Sequence, residues 1–274
     1  MIRDITIGQY YPSNSKIHNL DPRVKIVCTL LYLISLFTFK NILGYAMATV
    51  FLFTCIKMSK VPFKFIVKGL KPIMILLMIT VGFNLFLTPG GEVLVHFWIF
   101  KITEQGLSSA VYMGVRLVFL IMGSSLMTLT TTPNSLTDGL ESLLHPLNKI
   151  KVPVHDVSMM MSIALRFIPI LLEETDKIMK AQIARGADME SGNIIQRAKA
   201  MVPILVPLFV SAFRRANDLA MAMEARCYRG GDGRTKMKPL IYKKKDYIAY
   251  ITVILYVVVA FIVGRYVPFK LWIF

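Results

Sequence analysis

A chain of 274 residues that is 55% hydrophobic, with 17 Met, 17 Phe and a mean hydropathy of +0.59, carries more apolar surface than one water-facing globule can bury. A formal charge of +16 would point to nucleic acid in a soluble chain, but the basic residues lie in loops between apolar blocks, as retained cytoplasmic loops require. No zinc-finger spacing or aromatic–basic interleaving supports a nucleic-acid partner. The blocks have membrane-spanning length, so the fold class is all-α: a polytopic membrane protein with about five transmembrane helices and long cytoplasmic helices. Cys28, Cys55 and Cys227 are too widely separated for a disulfide framework or a metal site.

The first 20 residues are polar, and the first apolar block has no small-residue cleavage signature, so it is expected to stay as a membrane helix. Asp21-Pro22 is a helix start, with the carboxylate at the N-cap and proline at the first helical position. Apolar blocks at 24–39 and 42–56 follow, joined by Lys40-Asn41 alone, which makes them antiparallel neighbours. Both are short for a 30 Å core, which asks for roughly 20 residues. Residues 57–71 carry five lysines and no acid, and fit either a short helix in the anionic headgroup region or a plain basic loop.

A third block covers 72–87. Pro89-Gly90-Gly91 then reads as a turn, and VLVHFWIFKI is too short and bulky to span. It reads as an extracytoplasmic strand or hairpin, or as an interfacial segment anchored by Trp98, with His96 an interfacial side chain. The fourth block, 107–129, carries Gly114, Gly123, Ser124 and Ser125, a small-residue pattern that lets membrane helices approach closely. Arg116 within it either snorkels, pairs with an acid, or serves a function. From Pro133 a short amphipathic helix places Leu136, Leu140, Leu143 and Leu144 on one face and stops at Pro146. The last block is 247–264. The chain thus divides into a membrane part at 1–130, with a hairpin at 88–106, a cytoplasmic and interfacial region at 131–246, and a final span with an external tail at 247–274.

Five spans with the N-terminus inside place 26 basic residues on the cytoplasmic side and leave only Lys40, Lys101, Arg265 and Lys270 outside, with Arg116 and Arg166 within apolar stretches. The C-terminus is then outside. A seven-span rival would drive VSMMMSIALRFIPILL and MVPILVPLFVSAF across the membrane, stranding Lys177, Lys180, Arg185, Arg197 and Lys199 outside, and the five-span reading is preferred.

Within 155–230 two helix-like stretches each run from an apolar start to a charged end, and MKAQIARG at 179–186 aligns with AMAMEARC at 220–227. In the first, Leu165, Ile168, Leu172, Thr175, Met179 and Ile183 form a stripe, flanked by the i,i+4 pairs Glu173–Lys177 and Asp176–Lys180. In the second, Phe209, Phe213, Ala216, Ala220, Met223 and Cys227 form a stripe beside Arg214 and Asp218, followed by Glu224, and the alanines would let the two helices cross closely. The tips are Ala184-Arg185-Gly186 and Ala225-Arg226-Cys227. A cation at a helix C-terminus complements the helix dipole, and Gly186 suits the position after the cap. Two such tips on similar rods also suit a partner with two acidic pockets, where Arg makes bidentate bonds that Lys would not reproduce.

QYYPSNSKIHNLDPRVK near the start, with ARGAD and EARCYRG at the paired tips, resembles the transmembrane T component of energy-coupling factor transporters, the EcfT family, over essentially the whole chain. The second tip departs from Ala-Arg-Gly at Cys227. The resemblance implies a non-catalytic membrane scaffold for vitamin or other micronutrient uptake. It would join two cytoplasmic ATP-binding-cassette subunits, like EcfA and EcfA′ as a heterodimer, to an exchangeable substrate-binding S component in a bacterial cell membrane. Arg185 and Arg226 would each enter a groove of one ATPase. Met159, Met160, Met161 and Met201 would either face the S component as adaptable packing or serve as membrane-facing bulk. No G-x-x-x-x-G-K-[ST] motif is present, so ATP and Mg would be bound by the partners, with no cofactor in this chain. The rival classes are a secondary transporter, a conventional ABC permease with its own substrate pathway, and an integral-membrane enzyme.

Overall fold

Asp21 begins the first helix as the sequence predicts: its carboxylate accepts from the Arg23 backbone N–H, and Pro22 occupies the first turn. The structure, a computed structural model, describes residues 10–39, 41–87, 93–97, 100–187, 193–231 and 237–266. Two compact units emerge, one running to residue 143 and resuming at 240, the other covering 144–239.

The first unit holds α1 (Pro22–Thr38), α2 (Ile42–Ser59), α3 (Phe63–Lys68), α4 (Met74–Leu87), an antiparallel hairpin of β1 (Val93–Phe97) and β2 (Phe100–Thr103), α5 (Glu104–Thr130), α6 (Pro133–Leu144) and α9 (Lys244–Tyr266). Residues 57–71 thus contain a helix rather than plain loop, with Ile66 fully buried and the flanking Phe63, Phe65 and Val67 exposed. The segment read as strand or hairpin does pair, His96 opposite Lys101, whereas the Pro89–Gly91 turn and the Trp98 anchor lie outside the described residues.

The core of this unit gathers Tyr32, Leu36, Phe39, Leu52, Leu126 and Tyr256 from α1, α2, α5 and α9. Glycines in α5 set how closely its neighbours approach. A methyl group on Gly123 would fall 2.6 Å from the Tyr32 ring of α1, and one on Gly114 would fall 3.2 Å from Val81 of α4. Small residues therefore serve two partners on opposite sides of one helix. Arg116 is held structurally. Its Nε donates to the Tyr45 hydroxyl at 3.1 Å, a second nitrogen reaches the Phe39 carbonyl at the end of α1, and the guanidinium lies over Phe37.

The N-terminal signature ties three helix ends together. The Tyr11 N–H donates to the Leu129 carbonyl, and buried Lys25 donates to the carbonyls of His18 and Thr130. Asp246, near the start of α9, accepts from the backbone N–H groups of Asp21 and Lys243. α6 is amphipathic and begins at Pro133 as expected. It packs on α1: Gly139 lies against Pro22 and Ile26, and Ser142 accepts from Arg23. By contact α6 therefore belongs with the first unit, which runs to residue 143.

By length and composition, five stretches can cross a membrane: 42–59, 63–86, 104–130, 154–184 and 244–264. The number matches the expectation and the membership differs. α1 has only 17 residues, short of the roughly 20 that a bilayer core asks of a straight helix. The stretch at 154–184 qualifies, although the sequence reading placed it at the surface. A seven-span arrangement would also need the helix at 194–225 to cross, and it is not among the described stretches that qualify.

Candidate functional site: two capped helix tips

The second unit is a pair of long helices, α7 (Val154–Ala184) and α8 (Ile194–Ala225). Three contacts set their register. His155 lies against Gly231, Glu174 faces Ser211 and Arg215, and Gln182 faces Pro203. Numbers rise along one helix as they fall along the other, so the helices are antiparallel and their C-terminal tips sit at opposite ends of the pair. Arg185 is level with about residue 201 of α8, and Arg226 lies some 25 residues further on, about 38 Å at 1.5 Å per residue.

Backbone chemistry explains one contact. Pro207 has no N–H, so it cannot donate to the carbonyl of Pro203 one turn earlier. The Gln182 side chain of α7 donates to that free carbonyl at 3.3 Å. At the crossing the Glu174 carboxylate accepts from the Ser211 hydroxyl at 2.6 Å and forms an ion pair with Arg215. The Arg215 side chain is 41% exposed, so the pair fixes register more than it adds stability.

The two tips share one cap. At α7 the Gly186 N–H donates to the Ile183 carbonyl at 2.9 Å and the Ala187 N–H to the Gln182 carbonyl at 3.0 Å, with Gly186 at φ +88°. At α8 the Cys227 N–H donates to Glu224 at 2.8 Å and the Tyr228 N–H to Met223 at 3.0 Å, with Cys227 at φ +57°. Both are Schellman motifs, in which the residue after the cap turns left-handed so that its neighbours satisfy the orphan carbonyls. The third tip residue is thus the left-handed position, and Cys227 fills the place of a glycine. In each tip the arginine is the C-cap residue itself, held at the rim with an exposed side chain. Neither Arg185 nor Arg226 forms an ion pair among the described residues.

The helix pair differs in two respects from what periodicity predicts. The face of α8 turned toward α7 carries buried Ile204 and half-buried Leu208, Ser211, Ala212, Arg215 and Leu219. The stripe read through Phe209, Phe213, Ala216 and Ala220 is exposed instead, with Phe209 and Phe213 packed against each other 4.6 Å apart. Polar Ser211 and Arg215 carry no apolar periodicity to mark them as seam residues, yet they answer Glu174. Nor do the pairs Glu173–Lys177, Asp176–Lys180 and Arg214–Asp218 close to salt-bridge distance among the described residues. Glu173, Arg214, Asp218 and Glu224 are exposed and Asp176 is half-buried.

A family model described as Cobalt transport protein (CbiQ) matches residues 13–237. The Energy-coupling factor transporter transmembrane protein EcfT of Clostridium kluyveri is 60% identical over 250 residues, covering 91% of this chain and 93% of that protein. The protein of the same description from Acidaminococcus fermentans is 51% identical over 263 residues, 96% and 98% of the two chains, and that from Bacillus subtilis is 48% identical over 246 residues, 90% and 93%. The chain belongs to the EcfT family. It is a multi-pass membrane protein and a transmembrane component of an energy-coupling factor transporter. The family model reaches past both EcfT tips, and the relatives cover nine-tenths or more of the chain. The resemblance drawn from the signature and the paired tips therefore extends over the EcfT fold as a whole.

Proposed function

We propose that this EcfT chain is the energy-coupling scaffold of a micronutrient importer. Arg185 and Arg226 each dock in an acidic groove of one of two cytoplasmic ATP-binding-cassette subunits, EcfA and EcfA′ like, which bind ATP and Mg and hydrolyse the nucleotide. The carrying observation is a pair of identically capped, exposed arginines, free of ion pairs among the described residues, at opposite ends of one antiparallel helix pair. A span of about 38 Å suits two separate subunits better than one pocket, because a single groove could not reach both ends. The Glu174–Arg215 and Gln182–Pro203 contacts lock the two rods, so nucleotide-driven motion at either tip moves the pair as a body. That motion would pass to a substrate-binding S component, with the exposed Met160, Met161 and Met201 supplying an adaptable surface. The N-terminus and the 131–246 region lie on the cytoplasmic side, with α7 entering only the membrane surface rather than crossing it, and the C-terminus lies outside, as the distribution of basic residues favours.

Arg185→Ala and Arg226→Ala test the assignment. Each single change should leave membrane insertion intact and weaken ATPase co-purification and substrate uptake, and the double change should be worse than either. Wild-type uptake and ATPase recovery in the double variant would refute it. A secondary transporter or a self-sufficient permease would transport without these partners, so the same co-purification separates the readings.

A further inference from the structure

The first unit contains a half-open cavity of about 530 Å³ lined by α1, α2, α5 and α9 and by Lys16, Ile17 and Leu20 ahead of α1. Its walls are mostly apolar, and among the described residues its lining includes three lysines, Lys16, Lys25 and Lys245, and no carboxylate. All three sit at one end. From that end the lining runs along α1 from Lys25 to Tyr32, along α5 from Thr130 back to Gly123, and along α9 from Lys245 to Val253. Seven or eight residues of helix make a slot about 10 to 12 Å deep.

Among the described residues the charged end has no carboxylate in salt-bridge contact with its buried lysine, which feels the charges of Asp21 and Asp246 only at longer range. Lys25 is only 8% exposed and spends two of its three donors on the carbonyls of His18 and Thr130. The nearby acids are committed elsewhere: Asp21 pairs with Arg23, and Asp246 accepts two backbone N–H groups. A buried ammonium without an ion-pair partner is costly in an apolar setting, and an anion placed beside it would relieve that cost. Lys16 and Lys245 are exposed at the same mouth and would grip the anion from the water side.

We propose that this slot is a specific site for an anionic phospholipid, with one acyl chain between the four helices and the phosphate at Lys16, Lys25 and Lys245. Three cations at the mouth and an apolar shaft select a molecule with negative charge at one end and hydrocarbon at the other. A zwitterionic lipid offers the same chain without the net charge. The site would brace the ends of α1, α5 and α9, the same ends that the N-terminal signature ties together.

Full-length protein purified in detergent would be incubated with phosphatidylglycerol carrying a diazirine midway along one acyl chain, and cross-linked peptides mapped. Exposed Met78 of α4 serves as the reference for lipid that merely coats the membrane surface. Phosphatidylglycerol should label slot residues around Cys28 and Cys55 at least five-fold more than the matching phosphatidylcholine probe, while Met78 is labelled equally by both. The double change Lys16→Ala and Lys245→Ala, at exposed positions, should cut that preference at least two-fold while Lys25 retains the remainder, and leave Met78 unchanged. Ala249→Trp, which fills the shaft, should abolish slot labelling by either lipid. Equal slot labelling by the two lipids, a preference undiminished by loss of both lysines, or labelling confined to α4 would overturn the proposal.

Discussion

Replacing Cys227 with glycine should strengthen the end of α8. The residue sits at φ +57°, where a side chain crowds the following carbonyl and an L-residue loses about 1 to 2 kcal/mol. Glycine removes that strain but adds about 0.5 to 1 kcal/mol of unfolded-state freedom, which leaves a net gain of about 0.5 to 1 kcal/mol. Since 1.4 kcal/mol is a factor of ten, the cap amides at 226–228 should exchange with deuterium about two- to five-fold more slowly in Cys227→Gly. The mirror change is Gly186→Ala, which puts a methyl on a residue at φ +88° and should speed exchange at 185–187 by a similar factor. No heavy atom lies within 4 Å of that methyl, so the effect would come from the backbone alone. Hydrogen exchange read by mass spectrometry on the intact membrane protein resolves both ends in one experiment. Unchanged or faster exchange at 226–228 in Cys227→Gly would refute the claim that the two tips share one cap and differ only in what fills its left-handed position.

Gln182→Leu should cost about 0.5 to 1 kcal/mol by leaving the Pro203 carbonyl without its donor, and should be nearly neutral in a Pro207→Ala background, where the helix supplies its own N–H. A double-mutant cycle on thermal unfolding in detergent reads the coupling, and strictly additive effects would contradict the pairing. Burial alone would push the Asp21 carboxyl up, but hydrogen bonds from the Arg23 side chain and backbone, with the charges of Arg23 and Lys25, outweigh it and hold the group below the usual carboxylate range. Its stabilisation is therefore full above the unfolded value of about 3.9 and is lost as pH falls through the lower folded value. The stability gap between wild type and Asp21→Asn should be flat near neutral pH and shrink below about pH 4; a gap that grows with acidification would contradict this sign.

Much of the membrane unit was legible because its signals are local. Asp21-Pro22 specifies a helix start through its own side chain and ring, and apolar runs bounded by lysines mark helices whatever they pack against. Gly123 was legible as a point of close approach but not as the seat of the Tyr32 ring, since the partner of a small residue is decided by packing across helices. The two tips were legible as repeated Ala-Arg ends, and Gly186 as a left-handed cap, because glycine carries that preference in its own backbone. Cys227 read as an irregularity, and the second cap became visible only through the Cys227 and Tyr228 hydrogen bonds.

The amino-acid sequence by itself determined an all-helical membrane protein of the EcfT family, its blocks and its two arginine tips, because hydrophobic periodicity, turn chemistry and motif all act within a few residues. Only the tertiary structure decided that α7 and α8 run antiparallel, that Glu174 answers Ser211 and Arg215 rather than its helical neighbours, and that about 38 Å separates the tips. Those outcomes depend on which faces meet. Periodicity shows that a helix has an apolar face, and α8 offers more than one: Phe209 and Phe213 on a face left exposed, Ile204 and Leu208 on the face that packs. A polar seam and a proline-freed carbonyl made the choice, and both act across a pair of helices rather than along one.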